Sequence, residues 1–163
     1  MTSDELVNKN YGGDLQKHLL EQYKLYVESS LEVTSKRLES NKFHLTLNSV
    51  IFGIAGYLTV INQNAVIILL SVVGMIISVV WIQSIASYRE LNSAKFKVIQ
   101  ELEKHMPACV FKCEEKYYKG KRKFHGLTSR EKWCPILFIA LYAAIIALTI
   151  YSLFSQSGLP IKT

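Results

Sequence analysis

The stretch FHLTLNSVIFGIAGYLTVINQNAVIILLSVVGMIISVVWI (43–82) holds no Asp, Glu, Lys or Arg, and Asn-Gln-Asn at 62–64 divides it into two apolar runs, 43–61 and 65–82. A third uncharged run, WCPILFIALYAAIIALTIYSLF, occupies 133–154. At 1.5 Å of rise per residue, ~20 apolar residues match the ~30 Å hydrocarbon layer of a bilayer. Lipid offers no hydrogen bonds, so each backbone amide must be paired inside its own segment, and the runs are expected to be helices. The competing reading is a soluble domain with three buried helices. Runs of this length without one charge weigh against it. The expected fold is an all-α membrane protein with three transmembrane helices, the first two a long antiparallel hairpin extended into the cytoplasm.

The whole-chain figures average two unlike materials. A mean hydropathy of +0.18 and 20% charged residues combine neutral spans with charged extensions. The 163 residues leave no room for a separate catalytic domain of ordinary size beside the membrane part. Residues 1–10 are polar and mixed in charge, unlike a cleavable signal peptide, so the first span is expected to act as an uncleaved signal-anchor.

Orientation follows from Lys and Arg. Six precede the first span, twelve lie between the second and third spans, the 62–64 turn has none, and Lys162 stands alone after the third span. The N-terminus and the basic link are therefore expected in the cytoplasm, with the turn and the C-terminal tail outside. The net charge of +6 mostly expresses this bias and gives little reason to expect nucleic acid. Cys109, Cys113 and Cys134 all fall on the cytoplasmic side or its membrane edge, where thiols stay reduced, so no disulfide is expected.

Along the chain, residues 1–13 are expected to be a flexible N-terminus and 14–106 the helical hairpin. Residues 107–132 form a basic cytoplasmic linker, 133–154 the third span, and 155–163 an external tail. No Gly or Pro interrupts 14–52. Leu15, Leu19, Tyr23, Tyr26, Val27, Ser30, Leu31, Val33 and Leu38 recur at three- and four-residue steps, which makes one apolar stripe on a helix entering the membrane. After the second span Leu91, Ala94, Val98, Ile99 and Leu102 form the matching stripe, and Pro107 ends the helix. The two stripes bury each other, yet one helix pair leaves apolar surface uncovered, which points to self-association. From 108 to 126 the sequence reads as irregular. Thr128 to Glu131 is a capping box, with Thr128 as N-cap for the third span.

Polar residues gather in the first span: His44, Thr46, Asn48 and Ser49. They face protein or water rather than lipid. Either they glue helices together, Asn48 contributing ~0.6–2 kcal/mol, or they line an aqueous path shared by several subunits. Gly53, Ala55 and Gly56, and in the third span Ala140, Ala143, Ala144 and Ala147, offer close-packing surfaces. KYYKGKRKFHG (116–126) sets Lys119, Lys121, Arg122 and Lys123 among aromatics beside the membrane, a pattern that suits anionic lipid headgroups. Nucleic-acid binding through the same residues is the weaker reading.

No positive sign of catalysis appears. There is no Ser/His/Asp arrangement, no Gly-rich phosphate loop and no carboxylate pair in a span. Arg37 and His44 match a loose ribonuclease-type spacing, but His44 lies at the membrane edge, where RNA has poor access. His105, Cys109, Cys113 and His125 depart from zinc-finger spacing, and Pro107 falls inside the set. Catalytic residues, metal ligands and cofactors are all assigned as none, and no small-molecule substrate is identified.

The segments EQYKLYVESSLEVTSKRLESNKFHLTLNSVIFG (21–53) and WIQSIASYRELNSAKFKVIQELE (81–103) resemble the RipA-like family of small bacterial integral membrane proteins. The likeness rests on Glu21-Gln22-Tyr23-Lys24, Asn48, Ser87-Tyr88-Arg89 and Leu91-Asn92, and covers about a third of the chain. It implies an octamer in the bacterial inner membrane and, through the family's namesake, a part in envelope homeostasis. It implies no chemistry. Combined with the residues, it supports a non-enzymatic homo-oligomeric scaffold or regulatory protein whose partners are membrane lipids and its own copies. His44, Thr46, Asn48, Ser87, Tyr88, Arg89 and Asn92 are the candidate oligomer or pore contacts, and Arg89 could pair with Glu90, Glu39 or a neighbouring subunit. An oligomeric pore-forming effector, as found in bacterial defence systems, is the alternative.

Overall fold

A computed structural model describes residues 11–120 and 131–156, with side chains through Tyr117 and from Glu131 to Ser155. The chain is helical, in the order α1 (Leu15–Val60), α2 (Asn64–Glu103), α3 (Val110–Gly120) and α4 (Trp133–Gln156). Three of these, α1, α2 and α4, are long and apolar enough to cross a membrane. The protein is an all-α membrane protein whose first two helices form a packed pair.

α1 begins where Asp14 caps it, the Lys17 amide donating to the carboxylate at 3.3 Å. Its 46 residues run without a break through the charged segment into the apolar one, roughly 69 Å in all, more than twice the hydrocarbon thickness. The end is a Schellman turn. Asn62 adopts φ 56°, the Gln63 amide bonds Leu58 O at 3.3 Å, and the Asn62 amide bonds Thr59 O at 3.4 Å. Asparagine tolerates this left-handed conformation better than most residues, which explains the tight reversal into α2.

α2 stops at Glu103, short of Pro107, because the chain tightens first. The amides of Lys104, His105 and Met106 bond carbonyls three residues back. The basic linker also differs from the irregular coil expected for it, since residues 110–120 are α3. The reason is a cap supplied from a distance, described below. Pro135 sits in the first turn of α4, where its missing N–H costs no helical bond.

The chain divides into two compact units. The first comprises Met1–Leu38 and Ala86–Gly126, and among its described residues Leu19, Ser30, Ile99, Leu102 and Glu103 are buried. The apolar stripes expected there are buried only in part, because Leu15, Leu31, Leu38, Leu91 and Ala94 stay exposed. The second comprises Glu39–Ile85 and Leu127–Thr163. Its core is Ile51, Ala55, Ile67, Trp81, Ile85 and Tyr142, with Asn48, Ser71, Ser78 and Thr149 buried among them. Along α2 the buried positions 67, 71, 74, 78, 81 and 85 step by three and four, the spacing that keeps one face of a helix against its neighbour.

Candidate functional site

Two constellations carry the polar chemistry, one in each unit. In the second unit, Asn48 of α1 is completely buried. Its Nδ2 donates to His44 O at 2.9 Å, and its Oδ1 accepts from Ser78 Oγ of α2 at 3.0 Å. From α4, Tyr142 Oη donates to Asn48 O at 2.9 Å and lies 3.4 Å from Oδ1. One asparagine therefore ties three apolar helices together. In lipid the same groups would otherwise be unpaired, so each such bond contributes ~0.6–2 kcal/mol to association. Phe52 and Phe138 pack around the Tyr142 ring at centroid distances of 6.2 and 6.3 Å.

Tyr142 reaches Asn48 because Gly74 lets it pass. A Cβ built on Gly74 would collide with the Tyr142 ring carbons and lie 2.7 Å from its hydroxyl. Ser71, one turn earlier on the same face, is fully buried, and its hydroxyl has no hydrogen-bond partner. Nearer the charged end of the unit, Trp81 is buried, donates from Nε1 to Asn41 Oδ1 at 2.9 Å, and stacks on His44 at 5.9 Å and 12°. His44 Nδ1 lies 2.8 Å from Ser40 O, which assigns the proton to that nitrogen.

In the first unit the focus is Glu103, also completely buried. Its carboxylate accepts from the Phe111 amide at 2.9 Å and the Lys112 amide at 3.1 Å, the free donors at the start of α3. The positive end of the helix dipole favours a carboxylate there. Tyr23 of α1 donates to the same carboxylate at 3.2 Å, and its ring packs against Phe111, as does Phe96. Burial first, then the charge and acceptor of Glu103, raise the Tyr23 hydroxyl above its ordinary value. Gln100 donates to Glu115 at 2.8 Å and adds a second tie to α3. Lys95 bonds Ser29 at 2.6 Å with its ammonium over the Tyr26 ring at 5.0 Å, joining α1 and α2. On the surface, the hydrogen bond from Lys36 holds the Glu32 carboxyl below its usual range.

The candidate contacts chosen from the sequence separate under this geometry. Asn48 is engaged inside the protomer, and His44 is half-buried against Trp81. Thr46, Ser87 and Arg89 are exposed, while Tyr88 and Asn92 are half-buried. The Asn92 Oδ1 is shielded from solvent without a hydrogen-bond partner. Ala55 is buried, but Gly53, Gly56, Ala140, Ala143, Ala144 and Ala147 are exposed. Lys119 falls within α3, and Lys121, Arg122, Lys123, His125 and Thr128 lie outside the described residues, as do 1–10 and 157–163. The Cys109 thiol lies 3.5 Å from Glu103 O, and no metal-ligand cluster occurs among the described residues.

Sequence reasoning missed Gly74, Ser78, Tyr142 and Glu103. A signal existed for two of them, since Ser71, Gly74 and Ser78 form a small-residue line at three- and four-residue spacing. Tyr142 and Glu103 carried none, because Tyr142 bonds Asn48 94 residues away, and Glu103 reaches Tyr23 80 residues away and caps α3 across an intervening turn.

No curated protein and no solved structure matches this chain. A family model does match it, that of the octameric membrane protein family (8xMP), over residues 20–152. The match takes in both constellations, the first two spans and all but the end of the third, and the chain belongs to the octameric membrane protein family.

Proposed function

We propose that this protein is a non-enzymatic, homo-oligomeric scaffold or regulator of the bacterial inner membrane, assembled as an octamer and RipA-like in role. The observation that carries the reading is the disposition of its polar groups. Asn48, Ser78, Tyr142 and Glu103 are engaged in holding the helices of one protomer together, which favours a structural part for them over turning over a substrate. The family's name supports eight copies. The Lys/Arg bias supports a cytoplasmic N-terminus, an external tail and anionic lipids as further partners, and the RipA-like resemblance alone suggests envelope homeostasis as the setting.

Native mass spectrometry in mild detergent is the test. A dominant eight-copy species is expected, and a purely monomeric spectrum overturns the reading. Reporter fusions at residue 163 should respond as periplasmic, and a cytoplasmic response overturns the threading.

One observation favours a pore as the second reading. Thr46 and Ser49 of α1 are exposed at a three-residue spacing inside an apolar run, and although Ser49 bonds back to Leu45 O at 2.8 Å, both keep an oxygen toward whatever covers this face. If subunits turn this face to a common axis, liposomes should show ion flux that Thr46→Leu with Ser49→Leu abolishes. Flux unchanged by that pair removes the assignment.

A further inference from the structure

The first unit leaves leucines where water should be. Leu31 and Leu38 of α1 are 66% and 50% exposed, and they lie among Glu28, Glu32, Lys36 and Glu39, too many charges for a lipid-facing surface. On α2, Leu91 is 47% exposed between exposed Ser87 and Ala94. Building on the homo-oligomeric reading above, we propose that the Leu31–Leu38 edge of one copy packs against the Ser87–Leu91–Ala94 edge of the next copy, closing a ring outside the bilayer.

The register supports this pairing. Copies in one membrane share an orientation, so rotation about the membrane normal sets each level of one copy beside the same level of the next. The bonds from Tyr23 to Glu103 and from Lys95 to Ser29 fix which residues of α1 and α2 share a level. Counting from them, Leu31 stands level with Ala94 and Leu38 with Ser87, a large side chain meeting a small one each time. Lys24 stands level with Glu101, which also pairs with Lys104 of its own segment, and Glu28 with Lys97, so the flanking charges have opposite sign at both levels.

The two edges are also placed for simultaneous use. At about 100° per residue, Leu31 and Leu38 lie roughly a quarter turn from buried Ser30, and Leu91 a similar angle from buried Ile99 in the opposite sense. Because α1 and α2 run antiparallel, those two offsets point to opposite sides of the hairpin. A large leucine edge on one side and a small-residue edge on the other make a heterologous contact, which builds a ring when its rotation closes, and not an isologous pair.

Disulfide trapping in membranes tests the proposal, using the full chain with Cys109, Cys113 and Cys134 changed to Ser. Leu38→Cys combined with Ser87→Cys should give, under mild oxidation, a ladder of covalent multiples on a non-reducing gel. Each single substitution should stay monomeric on that gel. Leu31→Cys with Ala94→Cys is a second pair that guards against a folding defect in the first. No ladder from either pair, with native mass spectrometry still showing an oligomer, overturns this interface and leaves the oligomeric reading standing. Dimers from the single variants, the mark of a self-paired edge, overturn it equally. A monomer in both measurements defeats the oligomeric reading itself.

Discussion

The phenol ring of Tyr142 occupies the space in which a side chain at Gly74 would begin. This contact sets how closely α4 approaches α2, and with it whether the Tyr142 hydroxyl reaches Asn48. Gly74→Ala should therefore cost about 1–3 kcal/mol through overpacking, read as a lowered unfolding temperature in detergent. The cost should shrink in a Tyr142→Ala background, with a coupling of about 0.5–3 kcal/mol. Strict additivity of the two substitutions would refute the contact.

Asn48→Leu removes the side-chain amide that Ser78 of α2 bonds, while Tyr142 keeps the backbone carbonyl of residue 48 and Ser78 keeps Gly74 O. A loss of about 0.6–2 kcal/mol is expected, the worth of the interhelical bonding that the amide supplies. Ser78→Ala should cost less, because the Asn48 amide keeps its bond to His44 O and its approach to the Tyr142 hydroxyl. Equal stability of the native chain and Asn48→Leu would show that the three-helix junction does not depend on this residue.

Glu103→Ala uncaps α3 and also leaves the Tyr23 hydroxyl without its acceptor. The expected cost is about 0.5–2 kcal/mol, confined to the first unit. Hydrogen exchange should accelerate across 110–120 and stay unchanged across 133–154. Glu103→Gln, which keeps one acceptor oxygen, should fall between. Uniform acceleration in both segments would argue that the carboxylate supports the whole chain and not α3.

Alkaline pH should weaken the same junction. Tyr23 ionises at a higher pH folded than unfolded, so its protonated form is stabilised by folding. A raised value contributes stability that is complete below the ordinary 10.0 and lost as pH rises through the folded value. The native chain should exceed Tyr23→Phe by about 0.5–1.5 kcal/mol at neutral pH, and the gap should close above pH ~10. A gap unchanged into that range contradicts the assignment.

Much of the fold is legible along the chain. The absence of charge in 43–61, 65–82 and 133–154 is a local property, and lipid converts it directly into helix because nothing else can satisfy the backbone. The hairpin is legible for a similar reason, since a three-residue link leaves two long helices no option but to lie antiparallel. α3 was not legible. Its cap, Glu103, stands seven residues ahead of Val110 across a turn, whereas a sequence search for helix starts looks at the adjacent residue.

The site divides along the same line. Polar residues in the first span announced helix adhesion, and Asn48 does adhere, but to Ser78 and Tyr142 within one protomer. Composition by itself determined that this is a membrane protein, which three runs are long and apolar enough to cross a bilayer, and that its stripes exceed what one helix pair can hide. Which partner each polar atom takes was decided only by tertiary packing. Hydropathy is a sum over one segment, whereas a hydrogen bond depends on the separation of atoms that the covalent chain holds 30 to 94 residues apart.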